Sequence, residues 1–315
     1  MAAYIGRRIG AGLFVALLVS VLVFAGTQVL PGDAANAVLG RNATPASLHL
    51  VREQLGLDKP VIGQYFTWLG HLLSGNLGTS LAAGEPVSSL ISARIGNSLA
   101  LAGITLLLLI PISLILGTLA GIRRAGRLDR TISGLTLGAI ALPEFITGTF
   151  LVLIFAVHLK ALPAVSLIPP GSDPLSQPTL LVLPVITLLI ASLAYTIRMV
   201  RAGVAEVMES EYVQAARLNG VPEKRVIRRH VLRNALAPSV QTFALTIQFL
   251  IGGVIVVETV FQYPGLGLEL SQSVAARDIP TVQAVAVLLA VLYIAINIAA
   301  DVIVVLLVPK LRTAQ

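Results

Sequence analysis

Chemistry that needs a thiolate or an imidazole cluster has little to draw on in this chain. The 315 residues include no cysteine, which removes thiol nucleophiles, disulfides and cysteine-ligated metals. His49, His71, His158 and His230 share no i, i+4 pair and no H-E-x-x-H, so a histidine-ligated metal is not expected. The serines and threonines are isolated and have no histidine near them on a helix, which argues against an intramembrane nucleophile. A phosphate-cradling P-loop needs Lys followed by Ser or Thr, whereas the lysines here precede Pro60, Ala161, Arg225 and Leu311. An ATPase of that type is therefore excluded for this chain on its own.

What remains is a set of acids in unusual places. Glu144 and Asp301 sit inside apolar runs, where an ionisable group is costly and is a functional candidate by default. Glu144 follows Pro143 and could instead occupy a kink, and Asp301 with Asn297 could bond across helices. Glu258 and Asp278 fall near the ends of apolar runs, as an outer gate or docking contact on one reading and as caps or surface residues on the other.

The elements that must hold these acids are membrane spans. Apolar residues make up 56% of the chain and charged ones 12%, about half the charged share of a soluble domain. A helix needs about 20 apolar residues to cross the hydrocarbon core. Six stretches qualify: Ile9 to Leu30, Ser98 to Gly121, Thr131 to Val157, Thr179 to Ile197, Leu236 to Val260 and Val282 to Val308. The first follows Arg7 and Arg8 and precedes Ala35-Asn36-Ala37, as a signal peptide would, but its apolar run is longer than an h-region and predicts a retained span. Pro111, Pro143 and Pro184 are expected to break backbone hydrogen bonds in the second, third and fourth spans. Gly252 and Gly253 predict close helix approach in the fifth.

The net charge of +7 is a topology signal. With the N-terminus inside, the inner segments hold Arg7, Arg8, Arg123, Arg124, Arg127, Arg130, Arg198, Arg201, Arg217, Lys224, Arg225, Arg228, Arg229, Arg233, Lys310 and Arg312, against six cations in the outer loops. That bias predicts both termini in the cytoplasm, and nucleic acid is not an expected partner.

Two connections exceed a simple turn. The outer one, within 31–97, shows broken helical faces at Leu50, Leu55 and Leu57 and at Tyr65, Trp68, Leu69 and Leu72. It reads as short helices lying on the membrane surface, with Tyr65 and Trp68 as interfacial anchors, or as a docking surface for an outside partner. The inner one, Arg198 to Ala235, has an apolar face at Val204, Met208, Tyr212 and Ala215, a stop at Asn219-Gly220 and a second face at Val226, Ile227 and Val231 after Pro222. This is helix, glycine turn, helix. The small pair Ala215-Ala216 suits a groove in another protein, while the surrounding arginines suit anionic lipid headgroups.

These stretches resemble a known family. "QAARLNG", Gln214 to Gly220, is similar to the E-A-A-x-x-x-G loop of permease subunits of binding-protein-dependent ABC importers, and "HVLRNALAP" follows as it does there. "LPGDAA", "LGLDKPVIGQYFTWLGHLLSGNLGTS", "ALPEF", "VVETVFQYPGLG" and "RDIPTVQA" extend the resemblance over nearly the whole chain, most closely to the B-type permease of dipeptide, oligopeptide and nickel importers. The resemblance implies an all-α polytopic membrane protein with six transmembrane helices and the type I ABC importer permease fold. It implies a first helix at 1–30, an extracytoplasmic region at 31–97, a five-helix core at 98–308 containing the loop 198–235, and a tail at 309–315.

It further implies half of a translocation pathway in a bacterial inner (plasma) membrane. The partners would be a second homologous permease, two cytoplasmic ABC ATPases that hold ATP and Mg, and an extracytoplasmic substrate-binding lipoprotein or periplasmic protein; no cofactor would be bound by this chain. The coupling helix seated in an ATPase cleft would comprise Glu211, Tyr212, Gln214, Ala215, Ala216 and Gly220. Candidate pathway or gate positions are Glu144, Glu258, Asp278, Gly252, Gly253 and Asp301. Gln214 stands where the motif has Glu, with Glu211 one turn earlier; Asn219 replaces the usual basic residue, and Val308-Pro309-Lys310 lacks the usual acid. Peptides are the commonest cargo of such importers, with nickel, haem or glutathione as alternatives. A self-contained channel or ion-coupled carrier would need its own coupling-ion site and usually internal repeats, and no pair of equivalent halves is evident.

Overall fold

The computed structural model describes residues 2–29, 44, 60–169 and 172–307. The apolar outer positions Leu50, Leu55 and Leu57, the segment "LPGDAA" and Val308-Pro309-Lys310 lie outside them. The described residues form helices α1 (Ala2–Val29), α2 (Val61–Leu73), α3 (Val87–Ile122), α4 (Arg127–Ile140) and α5 (Glu144–Leu151). They continue with α6 (Pro178–Met208), α7 (Glu211–Leu218), α8 (Glu223–Arg225), α9 (Leu232–Phe261), α10 (Leu266–Ala276) and α11 (Ile279–Leu307). Wider π turns extend α5 over Val152–His158 and join α8 to α9 over Val226–Val231. Among the described residues, five helices are long and apolar enough to cross a membrane, and six if α4 and α5 with its extension count as one broken span.

That broken span is where the sequence reading changes. The expected continuous helix from Thr131 to Val157 is interrupted at Ala141–Pro143, and its two parts meet at 105°. Pro143 has no N–H and its ring excludes a helical carbonyl from the turn before it, so it begins the second helix as the N-cap of α5. Pro111 and Pro184 do not break their spans. Each lies inside a continuous helix.

Two compact units divide the chain. The first contains Leu99–Tyr263 and is built on α6, the most enclosed span, 61% of whose most apolar window is buried. Leu183, Leu188, Leu250, Val257, Phe261 and Tyr263 form its core with the first-unit end of α3. Gly117 and Gly121 bring α3 against α6 so closely that a Cβ on either would stand 2.7 Å from Cβ of Val200 or Val204 and 2.9 Å from a backbone oxygen of α6. The spacing G-x-x-x-G puts both glycines on one helix face. Gly148 and Gly253 are likewise in contact, Gly253 against Leu188 and Glu144, but a Cβ on Gly252 would meet nothing within 4 Å. The close approach expected of the pair thus belongs to Gly253 alone. Threonines inside these apolar helices are satisfied locally: Thr105, Thr187 and Thr246 each donate to the carbonyl four residues earlier.

The second unit contains Ala2–Ser98 and Pro264–Ile298. Its core is Val87, Ile91, Leu266, Ala284 and Val285. Asn97 donates to the Pro264 carbonyl at 2.8 Å, the Leu266 N–H donates to Ser98 Oγ at 2.8 Å, and Arg94 pairs with buried Glu269. Tyr65 and Trp68, read from the sequence as interfacial anchors or part of a docking surface, pack on α1. Phe24 of α1 stacks against both at ring-centroid distances of 5.4 and 5.5 Å, and the Tyr65 and Ser20 hydroxyls bond at 2.9 Å.

Gly121→Leu forces a side chain into a backbone contact that neither helix can relax. The expected cost is about 2 kcal/mol, seen as a lower thermal unfolding midpoint of the purified protein. Gly134→Ala, where a Cβ meets nothing within 4 Å, should leave the midpoint unchanged or slightly raised.

Candidate functional site

The connection between α6 and α9 is a hairpin held from beneath by valines. Val200 and Val204 of α6, Val213 of α7, Val226 and Val231 of the π turn and Ala235 are all fully buried in one cluster. Val226 and Val231 are five residues apart, which an α-helix would place on different faces, and the i→i+5 bonding of the π turn aligns them. Tyr212 and Ala215, expected on the inward face, are exposed instead, and Val213 takes the inward position. α6 ends at Met208 and Ser210 is extended, so the register running from Val204 and Met208 does not continue into α7, and Val213, its one β-branched residue, faces the core.

The hairpin's ends are fixed by backbone chemistry. Ser210 precedes α7 in an extended conformation and accepts from the Val213 and Gln214 N–H groups through its carbonyl, at 3.1 Å each. At the other end Gly220 adopts φ +74°, its N–H donates to Arg217 O at 2.9 Å, and the Val221 N–H donates to Ala216 O at 3.1 Å. This pair of bonds is the Schellman closure predicted from Asn219-Gly220. Arg217 then forks onto Glu223 (Nε–Oε2 3.0 Å, Nη2–Oε1 2.7 Å), which holds the Glu223 carboxyl below its ordinary range. Asn234 of α9 donates to the Tyr212 hydroxyl at 3.1 Å.

The result is a rigid helix with an open outer face. Glu211, Tyr212, Gln214, Ala215 and Gly220 are exposed, and Ala216 is half-buried against the valine cluster. Gln214 uses its amide locally, donating to Glu209 O at 3.2 Å.

A second brace was not singled out from the sequence. Asp129, buried at the start of α4, receives the Arg201 guanidinium of α6 through both oxygens, Nη2–Oδ2 at 2.8 Å and Nε–Oδ1 shorter. The same carboxylate accepts from the Ala125 N–H at 2.9 Å and from Ser133 Oγ at 3.2 Å, and Ala125 takes a left-handed φ of 61°. The available signal was an acid among Arg123, Arg124, Arg127 and Arg130, one place where charge counting for topology hides a specific pair.

The intramembrane acids separate into different roles. Glu144 begins α5 at the break and lines a cavity of about 510 Å³ with Ala191, Ser192, Tyr195, Thr246 and Phe249, among others. Asp278 is fully buried just before α11: its carboxylate accepts from the Thr281 hydroxyl at 2.7 Å, from the Leu81 N–H at 3.0 Å and from Ser80 Oγ. All of these bonds are internal to the second unit. Glu258 is fully buried in the last turns of α9, and Asp301 is half-buried in α11.

Comparison with known proteins decides the class. The family described as binding-protein-dependent transport system inner membrane component matches residues 110–313, and its N-terminal companion family matches residues 1–102. The chain belongs to this family. It is 34% identical over 312 residues to a putative peptide transport system permease protein of Brucella abortus, covering 99% of both chains. A glutathione transport system permease protein of Pectobacterium atrosepticum is 37% identical over 296 residues, 94% of each chain. Among solved structures, the inward-facing MetNI methionine ABC transporter contains a chain that matches 70% of this one and 97% of its own length, with TM-score 0.56 and 21% identity. That likeness is one of fold, and the type I importer permease fold expected from the resemblance is the fold observed. This permease is thus a multi-pass inner-membrane transporter subunit.

Two substitutions test the braces of the hairpin. Gly220→Ala places a Cβ in a left-handed turn and should cost about 1 kcal/mol, with faster limited proteolysis at the turn. Asp129→Asn should cost about 2 kcal/mol, less than for a fully enclosed pair because the Arg201 side chain is 29% exposed, and should lower the thermal midpoint.

Proposed function

We propose that this permease forms half of the translocation pathway of an ATP-driven importer of short peptides. Its N- and C-termini and the α6–α9 hairpin face the cytoplasm, in line with the clustering of arginines on those segments. A second, homologous permease completes the pathway. Two ATPase subunits bind and hydrolyse ATP with Mg, and an extracytoplasmic binding protein delivers the substrate. The peptide cargo is supported by relatives matched over 99% of this chain, a putative peptide transport system permease and a probable peptide ABC transporter permease. The glutathione permease among them favours glutathione, itself a tripeptide, as the second reading.

The observation that carries the coupling role is the rigid helix with an exposed face. Glu211, Tyr212, Gln214, Ala215 and Gly220 are presented outward on a helix whose inner side chain, Val213, is fully buried among α6 and α9 residues. A load applied to that face passes into both spans without melting the helix, because the valine cluster and the Arg217–Glu223 pair hold it. An ATPase cleft that closes around α7 would therefore tilt α6 and α9, the two-state element that ATP and substrate both bias. With Gln214 bonded to its own backbone, recognition rests on shape, on Ala215 and on the Glu211 carboxylate.

Ala215→Trp separates docking from folding, since Ala215 is exposed whereas Ala216 packs on the permease's own core. The expected result is a normally inserted permease that no longer co-purifies with its ATPases; unchanged assembly would count against the coupling role. In proteoliposomes, uptake of trialanine should require the second permease, the ATPases, ATP and the binding protein. Uptake by this chain alone would make it a self-contained carrier.

A further inference from the structure

The break at Pro143 does more than bend a span. It points the start of α5 into a cavity of about 510 Å³ whose lining is mostly apolar, Ala139 to Pro143, Ala191, Leu245 and Phe249, relieved by Ser192, Tyr195 and Thr246. Glu144 is the one ionisable carboxylate on that lining. Its position along the neighbouring helix fixes its depth. The carboxylate would touch a Cβ placed on Gly253, with Oε1 at 3.1 Å, and Thr246 and Gly253 bracket the middle of the Ser239–Phe261 span. Ser192 of α6, on the same lining, is buried.

No hydrogen bond or ion pair to the Glu144 side chain occurs among the described residues, in contrast to Asp129, Glu209, Glu223, Glu269 and Asp278, each of which has a named partner. Its surroundings supply little to replace water. An ionisable carboxylate at mid-span is costly unless a cation meets it, and this one faces an open, apolar-walled volume large enough for a small molecule. Gly253 favours the arrangement, because even a Cβ there would stand 3.1 Å from Oε1 and make the carboxylate shift.

We infer that Glu144 is a binding site for the cationic group of the substrate in transit: a primary ammonium, with the adjoining apolar walls taking the uncharged remainder. Resting on the peptide-importer reading, this assigns the N-terminal ammonium of a short peptide to Glu144 and its small side chains to Ala191, Leu245 and Phe249. The site selects against anions and holds a cation weakly, since its one fixed charge has no second carboxylate beside it.

The absence of native cysteine gives a test that needs no known substrate. In the assembled importer in proteoliposomes, Ala191→Cys places one thiol of this chain on the cavity wall. Its modification by a cationic and an anionic methanethiosulfonate reagent of similar size is followed by mass spectrometry of this chain. The cation-to-anion rate ratio should fall about tenfold when Glu144→Gln is added, and Glu144→Asp should preserve most of it. A ratio equal in the Glu144 and Gln backgrounds would overturn the proposal, whether the carboxylate is shielded or is neutralised by another subunit. Trialanine uptake provides the other arm. If the ratio shifts but wild-type importer moves no trialanine, the peptide reading fails and the cation site stands; if uptake is normal and the ratio does not shift, the cation site fails alone.

Discussion

The packing of α3 against α6 through Gly117 and Gly121 is the constraint on which the first unit depends. Because those glycines have no Cβ, Val200 and Val204 can lie against the backbone of α3, and the same two valines form the floor beneath the hairpin with Val213, Val226 and Val231. One short stretch of α6 therefore serves two neighbours. It fixes an interhelical contact on one side and the base of the α6–α9 hairpin on the other. In an apolar solvent, where burial alone gives no driving force between helices, close packing of small residues is what sets such positions.

Arg201 adds a polar bond to the same region. It lies one residue beyond Val200 on α6 and reaches Asp129 at the start of α4, so the helix that precedes the Pro143 break is tied to the helix that precedes the hairpin. A tilt of α6 would then be felt by α4 through a charge pair and by α3 through a backbone contact. The break itself separates α4 from α5, leaving Glu144 on the part that packs with Gly253 and Leu188. The 105° bend thus has these ties on one side and the cavity lined by Glu144 on the other.

The second unit shows how the same residue type can serve a different end. Asp278 and Glu144 both looked like acids stranded near apolar segments. Asp278 receives three donors, from Ser80, Leu81 and Thr281, and ties the 80–81 loop to the start of α11. Glu144 also begins a helix but stands beside a cavity. Sequence context placed Glu144 inside an apolar run and Asp278 near the end of one, and the partners of each came only from the fold.

The apolar stretches, the arginine asymmetry and the glycine stop at Asn219-Gly220 were determined by the sequence itself, because apolar length, charge and a left-handed turn are local properties. Gly220 is the clearest case: its φ of +74° follows from a residue that lacks a Cβ after the last helical turn. The tertiary structure alone decided which prolines matter, since Pro111 and Pro184 are accommodated within their helices while Pro143 ends one. It also decided that Val213, not Tyr212 or Ala215, faces inward, that Gly253 and not Gly252 is in contact, and that Asp129 belongs to Arg201. Each of these depends on what a second helix brings within 3 or 4 Å, a distance no spacing along one strand of sequence contains.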